Sequence, residues 1–395
     1  MKPTVEATDS ADFSLVLGGP LYQLLLGSGL LRPPLDLLRR RVLSLTLLTW
    51  VPLLVLSVLE GQALAGVRLP FLRDLEAQAR FLLALPLLVA AEVVVHARLA
   101  PAVRLFIEKG IVRTEDRPRF DAIVASTMRL RSSLAVELVL IALVFTGGHH
   151  FFQEQHAIRA DTWYARQTAE GLTLSLAGKC YTWFSLPVFQ FLLLRWYYRL
   201  FLWGQFLWRV SRLDLALKPA HPDRAGGLGF LGVSTFAFAP ILLGQSIVVS
   251  AMIAGRILNE GARLPAFKNE IVGALVFALL QALGPLLVLI PNLVAAKRRG
   301  LREYSLLADR YVGEFDRKWI RGGAAPDEAL VGSADIQSLA DLGNSFAVVR
   351  EMRAVPFGKE TILQLVAVTA VPLLPLALTM FPLDELIRRM LGVLL

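Results

Sequence analysis

Five ionisable side chains interrupt otherwise apolar stretches of the sequence, and they are the first candidates for chemistry. Glu92 and His96 lie in one stretch, Glu137 in a second, and Arg195 and Arg199 in a third. An ionisable group inside a membrane has to be paired, neutralised or hydrated, and such groups often mark ion or proton pathways. Two interpretations stay open. The five residues form either an ion path or inward-facing polar cavity, or a structural layer of ion pairs whose arginines reach toward the membrane surface.

A glycine-rich segment is the second candidate. Its site residues are His221, Asp223, Arg224, Gly226, Gly227 and Gly229. The glycine spacing matches a dinucleotide-binding fingerprint, but that motif needs a preceding strand, and here a basic helix precedes it. Glycine N–H groups beside basic residues predict instead a seat for an anion or a lipid headgroup at a cytoplasmic mouth, with Asp223 capping the next helix. The alternative is that the glycines permit close helix packing or a bend at the membrane surface.

A third candidate is a short cluster of potential metal ligands. It consists of His149, His150, Glu154 and His156. Imidazole and carboxylate groups are suitable ligands for zinc or copper. Neighbouring histidines point apart on a helix or strand, however, and the spacing matches no metal motif. The alternative to an external metal or pH-sensing site is therefore a set of exposed loop histidines.

Short motifs of membrane enzymes are absent from the sequence. It contains no HExxH, GxGD or GxSxG motif and no P-loop. Cys180, the only cysteine, has no adjacent base, and a single cysteine excludes an internal disulfide and any cysteine-based zinc cluster. We therefore expect a protein that is not an enzyme and that carries no cofactor.

The composition indicates a chain whose solvent is mostly lipid. Of the 395 residues, 55% are hydrophobic and only 18% are charged, whereas soluble domains have about 25% charged residues. The mean hydropathy is +0.57. The net charge of +9 comes from Lys and Arg spread over several loops. Membrane orientation explains such a distribution, so we expect no nucleic-acid partner.

Apolar segments long enough to cross about 30 Å of hydrocarbon predict an all-α, polytopic transmembrane helical bundle with about seven spans. The predicted spans are 42–59, 81–97, 134–152, 180–202, 225–255, 271–296 and 361–383. The segment 13–31 is uncharged but rich in glycine. We expect it to be interfacial or re-entrant, and the alternative is an eighth span.

The distribution of basic residues predicts the orientation of the spans. With a cytoplasmic N-terminus, 28 of the 41 Lys and Arg residues fall on the cytoplasmic side, as the positive-inside rule requires, and the C-terminus is periplasmic. Cytoplasmic amphipathic helices are expected around 301–315 and 336–352, and a helix from Phe120 is expected to run straight into the third span. The chain thus divides into an N-terminal segment (1–41), a six-span region (42–296) with a cytoplasmic hairpin (98–133), a cytoplasmic helical loop (297–360), and a last span with an external amphipathic tail (361–395).

Three sequence blocks, 221–232, 341–346 and 355–357, resemble parts of uncharacterised bacterial multi-pass membrane proteins. The resemblance covers the second half of the chain. It implies a bacterial inner (plasma) membrane, and it supplies no activity.

Two functions of different classes are compatible with these features. The first is an ion channel or solute-translocating unit, expected as a homo-oligomer. The polar cluster, Gln245 and Gln281 within spans, and prolines such as Pro187 that can break helices favour it. The second is a non-conducting sensor or scaffold that recruits a partner through the cytoplasmic helices of 297–359. In both, the lipid bilayer is the main partner, and anionic lipid headgroups are a further candidate.

Overall fold

The fold, taken from a computed structural model, is described for residues 13–33, 35–148, 161–168 and 171–380. These residues are mostly helical, with one antiparallel pair of short strands, β1 (Ala165–Thr168) and β2 (Gly171–Leu174). In chain order the helices are α1 (Pro20–Gly27), α2 (Leu38–Leu59), α3 (Leu75–Glu108), α4 (Arg117–Arg131), α5 (Leu134–Leu143), α6 (176–210), α7 (Phe230–Glu260), α8 (Lys268–Leu283), α9 (Ile290–Phe315), α10 (Ala334–Arg350) and α11 (Lys359–Ala370).

Five helical stretches of the described residues are long and apolar enough to cross a membrane. They are Leu38–Leu59, Leu75–Glu108, Phe230–Glu260, Leu264–Ile320 and Lys359–Met380. A sixth is obtained if α4 and α5 count as one bent span. The all-α class is thus confirmed and membrane insertion is indicated, whereas the number of seven spans stays a prediction.

Two predicted features of the spans differ from what the structure shows. The predicted span 180–202 lies within the continuous helix α6, but Arg195 and Arg199 make this helix less apolar than the five stretches above. The straight passage from α4 into the third span is wrong, because the chain bends there by 47°. Ser132 and Ser133 separate the two helices. Serine side chains compete for backbone hydrogen bonds, which favours a helix end at this point.

α6 is the central helix of the hydrophobic core. Its buried residues include Trp196, Leu202, Trp203 and Phe206, as expected for a helix that is apolar around much of its circumference. It packs against α3, α4 and α5, and against the short 3-10 helix Gly284–Leu289 that joins α8 to α9. α6 therefore carries its two arginines through the interior of the bundle.

Pro187 widens a turn of α6 and does not break the helix. A π-helical turn, Tyr181–Ser185, directly precedes the helical segment that contains it. The same kind of turn, Arg80–Ala84, precedes Pro86 in α3. Proline has no N–H to donate to the carbonyl four residues earlier, and a wider turn accommodates its ring. Both helices therefore continue without interruption.

Contacts between loops define the two ends of the bundle. At one end, Val112 forms a β-bridge with Leu215. At the other end, Leu69 forms a β-bridge with Thr162. Two loops that were predicted to be cytoplasmic thus share one end, and two that were predicted to be external share the other.

The N-terminal segment 13–31 enters the bundle without crossing it. Its helix α1 rises only about 12 Å at about 1.5 Å per residue, whereas a span has to cross about 30 Å. Phe13, Leu15 and Val16 are buried in the core. The eighth-span alternative is therefore wrong, because the helix is too short.

Two helices extend from the bundle at the predicted cytoplasmic end. α9 continues the preceding apolar segment as far as Phe315, and α10 packs against it. Asp335 in the first turn of α10 accepts hydrogen bonds from Lys318 Nζ and Trp319 Nε1, both at 2.9 Å. Val349 is the one residue of α10 that is fully buried. The two helices coincide with the predicted amphipathic segments and leave most of their surface uncovered.

Candidate functional site

A buried ion-pair cluster surrounds Glu92, which lies in the middle of α3. Glu92 Oε2 accepts a hydrogen bond from Arg41 Nη1 at 2.7 Å. Glu92 Oε1 accepts hydrogen bonds from Arg199 Nη2 at 3.0 Å and from Arg195 Nη1 at 3.4 Å. The four side chains are at most 10% exposed. One carboxylate thus connects α2, α3 and α6.

Glu137 joins the cluster through Arg195 and through α1. Its Oε1 lies 3.4 Å from Arg195 Nε, and its Oε2 accepts a hydrogen bond from the backbone N–H of Leu21 at 3.0 Å. Leu21 lies in the first turn of α1, where backbone N–H groups lack partners within the helix and the helix dipole favours a negative charge. Gly19, just before α1, has a φ of +93°, and a Cβ there would lie 3.1 Å from Glu137 Oε1. A glycine at this position lets α1 approach the carboxylate.

The cluster carries more positive than negative charge. Arg41, Arg195 and Arg199 face only Glu92 and Glu137, which leaves one positive charge uncompensated within the described part of the chain. A guanidinium group remains protonated in proteins, and a charge at the centre of a bilayer costs about 2.5–3.5 kcal/mol on insertion scales. An anion bound beside the cluster would offset that cost.

The guanidinium groups also have hydrogen-bonding capacity to spare. Among the described residues, Arg41, Arg195 and Arg199 make four hydrogen bonds in total, although each group carries several N–H donors. The buried Nε of Arg41 has no partner there. Close by, Arg131 Nη1 donates to the carbonyl oxygen of Ser14 at 2.6 Å. These donors and charges suit an acceptor that is itself negatively charged.

A cavity of about 340 Å³ adjoins the cluster. Arg41, Glu92, Arg195 and Arg199 line its polar end. The rest of its wall is apolar and comes from α1, α2, α3, α5 and α6, with Leu25, Leu45, Val89, Ile141, Phe184 and Val188 among the lining residues. Sites for small molecules commonly have volumes of about 300–1,000 Å³. The cavity is therefore large enough to hold a ligand next to the arginines.

The structure brings four of the five predicted ionisable residues into this cluster. His96 lies apart from the ion pairs, with its Nδ1 3.0 Å from Ser14 Oγ. The mutual pairing of Glu92 with Arg195 and Arg199 is the feature that the structural interpretation predicted. The excess positive charge and the adjoining cavity are the features that the polar-cavity interpretation requires.

Arg41 is a cluster member that the sequence did not single out, because it ends a run of three arginines before a span. Its side chain is completely buried, whereas Arg39 and Arg40 are exposed. A signal does exist in α2. Thr49 and Ser57 are also buried, and they follow Arg41 at intervals of about two helical turns. This polar stripe in an apolar helix marks the face that meets the bundle.

The glycine-rich mouth contains a ring of backbone N–H groups, but a side chain of the same segment fills it. The carboxylate of Asp223 accepts hydrogen bonds from the N–H groups of Ala225 at 2.8 Å, Gly227 at 3.1 Å and Gly229 at 2.8 Å. Partial burial alone would raise the pKa of Asp223, but these hydrogen bonds and the neighbouring His221 hold it below its usual range. The seat predicted for an external anion is thus occupied by Asp223 itself.

Close packing is the use of the glycines that the geometry favours. A Cβ on Gly232 would lie 2.7 Å from the carbonyl oxygen of Pro356. Arg353 Nη2 donates to the carbonyl oxygen of Asp223 at 2.7 Å, and Arg224 Nη2 lies 3.1 Å from Glu351 Oε2. These contacts hold the loop before α7 against the segment that leads into α11. Gly226 in the same loop has a φ of +65°.

The predicted metal cluster lies outside the described residues, as does the amphipathic tail after Pro382. The residues concerned are His149, His150, Glu154 and His156. Among the residues that are described, no group of three or more His, Cys, Asp or Glu side chains could hold a metal ion. The external metal site therefore stays a prediction.

Gln245 and Gln281 pair with each other across α7 and α8. Each amide nitrogen donates to the other side chain's oxygen, at 3.0 and 2.8 Å. Gln245 also lines a second, smaller cavity of about 220 Å³, whose other walls are largely apolar. Two amides that satisfy each other add a polar link between the helices at little desolvation cost.

The chain matches no protein-family model, no curated protein and no solved structure. The arginine–glutamate cluster and its cavity are therefore the features from which a function can be inferred.

Proposed function

We propose that the protein is a solute-translocating unit of a bacterial inner membrane and that its solutes are anions, bound at the arginine–glutamate cluster. The observation that supports this most is the uncompensated positive charge beside a cavity of about 340 Å³. Positive charge at a binding site attracts anions and repels cations. Because both glutamates already face arginines, a path for cations or protons is a poorer fit.

In this proposal α6 also crosses the membrane, which raises the number of spans from six to seven. Two unpaired arginines at the centre of a bilayer would cost about 5–7 kcal/mol on the insertion scale. Ion pairs of Arg195 and Arg199 with Glu92 reduce this cost. With α6 included, the chain crosses seven times, with a cytoplasmic N-terminus and a periplasmic C-terminus.

The cluster lies nearer to the proposed cytoplasmic end of the bundle. Arg41 belongs to the first turn of α2, and Glu137 to the first turn of α5, and both helices begin at that end. α1 contributes Leu21 and Leu25 to the wall of the same cavity. A solute bound at the arginines would therefore be reached from the cytoplasmic half of the membrane.

Flux through purified protein in liposomes tests the proposal. Leu48 lines the cavity and is 52% exposed, so Leu48→Trp narrows the cavity without disturbing the core. Leu47 is 54% exposed and lies outside the cavity lining, which makes Leu47→Trp the matched control. The probes are chloride, acetate, glycerol phosphate and lysophosphatidate, with potassium as the cation control.

We expect protein-dependent flux of at least one anion, reduced at least tenfold by Leu48→Trp and unchanged by Leu47→Trp. Arg199→Gln should reduce the same flux, since it removes the excess charge. Absence of flux for every probe, or flux that both cavity substitutions leave unaltered, would remove the proposal.

A second function, that of a scaffold, is supported by the exposed apolar side chains of the two protruding helices. Leu306 is 65% exposed, Val312 50% and Ile336 49%. Exposed apolar side chains on helices that protrude from a bundle are candidates for contact with a partner protein. Affinity purification of the wild type and of a Leu306→Ser, Val312→Ser double variant tests this function, with Asp309→Ser as control. Recovery of the same partners with all three proteins would count against a scaffold, as would recovery of none.

A further inference from the structure

We infer that the cavity beside the cluster binds an anionic lipid, with one hydrocarbon chain in the apolar part and the headgroup at the arginines. This inference rests on the proposed function, because it names the class of solute for the same site. The lipid headgroup would contact the three arginines at the polar end of the cavity, Arg41, Arg195 and Arg199, and the hydrocarbon chain would contact the apolar wall.

The wall of the cavity is the first reason to choose a lipid over a small soluble anion. Apart from the arginine–glutamate end, the lining consists of Leu, Val, Ile, Pro, Phe and Trp side chains. A phosphate or carboxylate ion at the arginines would leave this surface either empty or in contact with water. Burying a hydrocarbon chain against it removes apolar surface from water, which is favourable.

The extent of the cavity lining along α6 is compatible with an extended chain. Its lining on α6 begins at Trp183 and ends at Arg199. Sixteen residues of helix separate these two positions, which corresponds to about 24 Å at about 1.5 Å per residue. That distance is more than half of the about 30 Å of a bilayer's hydrocarbon core. A chain that lies along α6 with its headgroup at Arg199 therefore keeps the direction of a lipid in the cytoplasmic leaflet.

The cavity opens on an apolar face of the bundle. Several residues of its lining are also substantially exposed, among them Leu48 at 52%, Phe145 at 43% and Trp183 at 56%. The rings of Phe145 and Trp183 stack with centroids 6.4 Å apart. Such a surface faces hydrocarbon in a membrane. A lipid could thus enter sideways without passing through water.

The headgroup end provides charge and donors in a dry environment. One positive charge lacks a carboxylate, and Arg41 Nε lacks an acceptor, within the described residues. Arginine binds phosphate and carboxylate with paired hydrogen bonds. Hydrogen bonds to charged groups are stronger than those between neutral groups. A phosphate or carboxylate headgroup therefore complements this end of the cavity.

Native mass spectrometry of the detergent-purified protein separates the contributions of chain and charge. The probe is lysophosphatidate, which has one acyl chain and one phosphate headgroup. Monoacylglycerol with the same chain lacks the charge, and glycerol phosphate lacks the chain. Each is titrated against the wild type, Leu48→Trp, Leu47→Trp and Arg199→Gln.

We expect saturable one-to-one binding of lysophosphatidate, at least tenfold tighter than that of monoacylglycerol, and no retained glycerol phosphate. Leu48→Trp and Arg199→Gln should each weaken binding at least tenfold, and Leu47→Trp should not. Leu48→Trp changes an exposed position, so it keeps the test valid if Arg199→Gln fails to fold. Equal binding of lysophosphatidate and monoacylglycerol would overturn the headgroup assignment. Equal binding by Leu48→Trp and wild type would overturn the cavity assignment.

The same probes distinguish failure of this inference from failure of the proposed function. Binding of lysophosphatidate at the cavity, with no protein-dependent flux of any probe, would remove translocation and keep the lipid site. Glycerol phosphate that is retained and translocated, without binding of lysophosphatidate, would keep translocation and remove the lipid.

Discussion

Glu92 is the residue on which the buried cluster depends. Its two oxygens accept hydrogen bonds from arginines that come from two other helices. Removing one partner of a buried ion pair is strongly destabilising, because it leaves the other charge uncompensated. Here the loss would leave three arginines with Glu137 as the one remaining carboxylate among the described residues.

Glu92→Gln should therefore lower the free energy of unfolding by about 3–5 kcal/mol. Glu108→Gln on the same helix removes an exposed carboxylate and should leave stability nearly unchanged. Chemical denaturation in detergent, followed by circular dichroism, measures both. Equal stability of the two variants would show that Glu92 does not compensate the arginines.

Asp223, in the glycine-rich mouth, gives a prediction about pH. Its three backbone hydrogen bonds and His221 hold its pKa below the ordinary value of 3.8, against the effect of partial burial. A carboxyl group whose pKa is lower in the folded protein contributes stability above the unfolded pKa and loses it as the pH falls through the folded pKa.

Hydrogen exchange of the Gly227 and Gly229 amides tests this. After correction for intrinsic exchange rates, their protection should persist from neutral pH down to pH 3.8 and fall only below it. Asp223→Asn should reduce it throughout this range, because a neutral amide is a weaker acceptor. Loss of protection already between pH 6 and pH 4 would contradict the assignment.

At the scale of elements, α1 is the helix whose position matters most to the cluster. Gly19 precedes it with a φ of +93°, and a Cβ there would lie 3.1 Å from Glu137 Oε1. Gly19→Ala should displace α1 from Glu137 and destabilise the protein by about 1–3 kcal/mol, because a φ of 93° with a ψ of 166° is a backbone region that residues with a side chain rarely occupy. Thermal unfolding measures this effect.

Labelling of an introduced cysteine measures the displacement itself. In a Cys180→Ser background, Leu25→Cys places a thiol at a position that is only 6% exposed. Gly19→Ala should speed its modification. Gly27→Ala is the matched control, since nothing lies within 4 Å of a Cβ at Gly27. Identical labelling rates in both variants would show that α1 is not held by the contact with Glu137.

The elements that depend on local sequence were predictable, and those that depend on distant contacts were not. Long apolar windows identified five of the spans, because hydropathy is a property of each segment alone. The pairing of Glu92 with Arg195 and Arg199 followed from their similar depth. The role of Arg41 depends on a partner 51 residues away, and that of α1 on one 116 residues away. Hydropathy contains no information about such contacts.

The glycine-rich mouth shows a different limit of prediction. Its composition indicated exposed backbone N–H groups, and those groups exist. Whether these N–H groups bind an external anion or a carboxylate of the chain depends on the turn geometry, including the positive φ of Arg224, Gly226 and Gly227. That geometry brings the carboxylate of Asp223 back onto the N–H groups, and the sequence alone does not specify it.

At the scale of the whole molecule, the loop contacts are compatible with the alternation of sides that the basic residues predict. The loops around Val112 and Leu215 contact each other at one end, and the predicted cytoplasmic loops hold 28 of the 41 basic residues. Reporter fusions at Arg113 and Ala325 should therefore be active in the cytoplasm, and a fusion at Arg166 in the periplasm. A periplasmic signal from either of the first two would reverse the proposed topology.

The most direct test of the anion site is a density map of the protein in lipid nanodiscs at side-chain resolution. We predict elongated density that starts at Arg195 and Arg199 and follows α6 toward Trp183. A cavity that has closed, or one filled with water while the arginines are fully satisfied by glutamates, would contradict both the lipid site and the anion translocation that we propose for the same cavity.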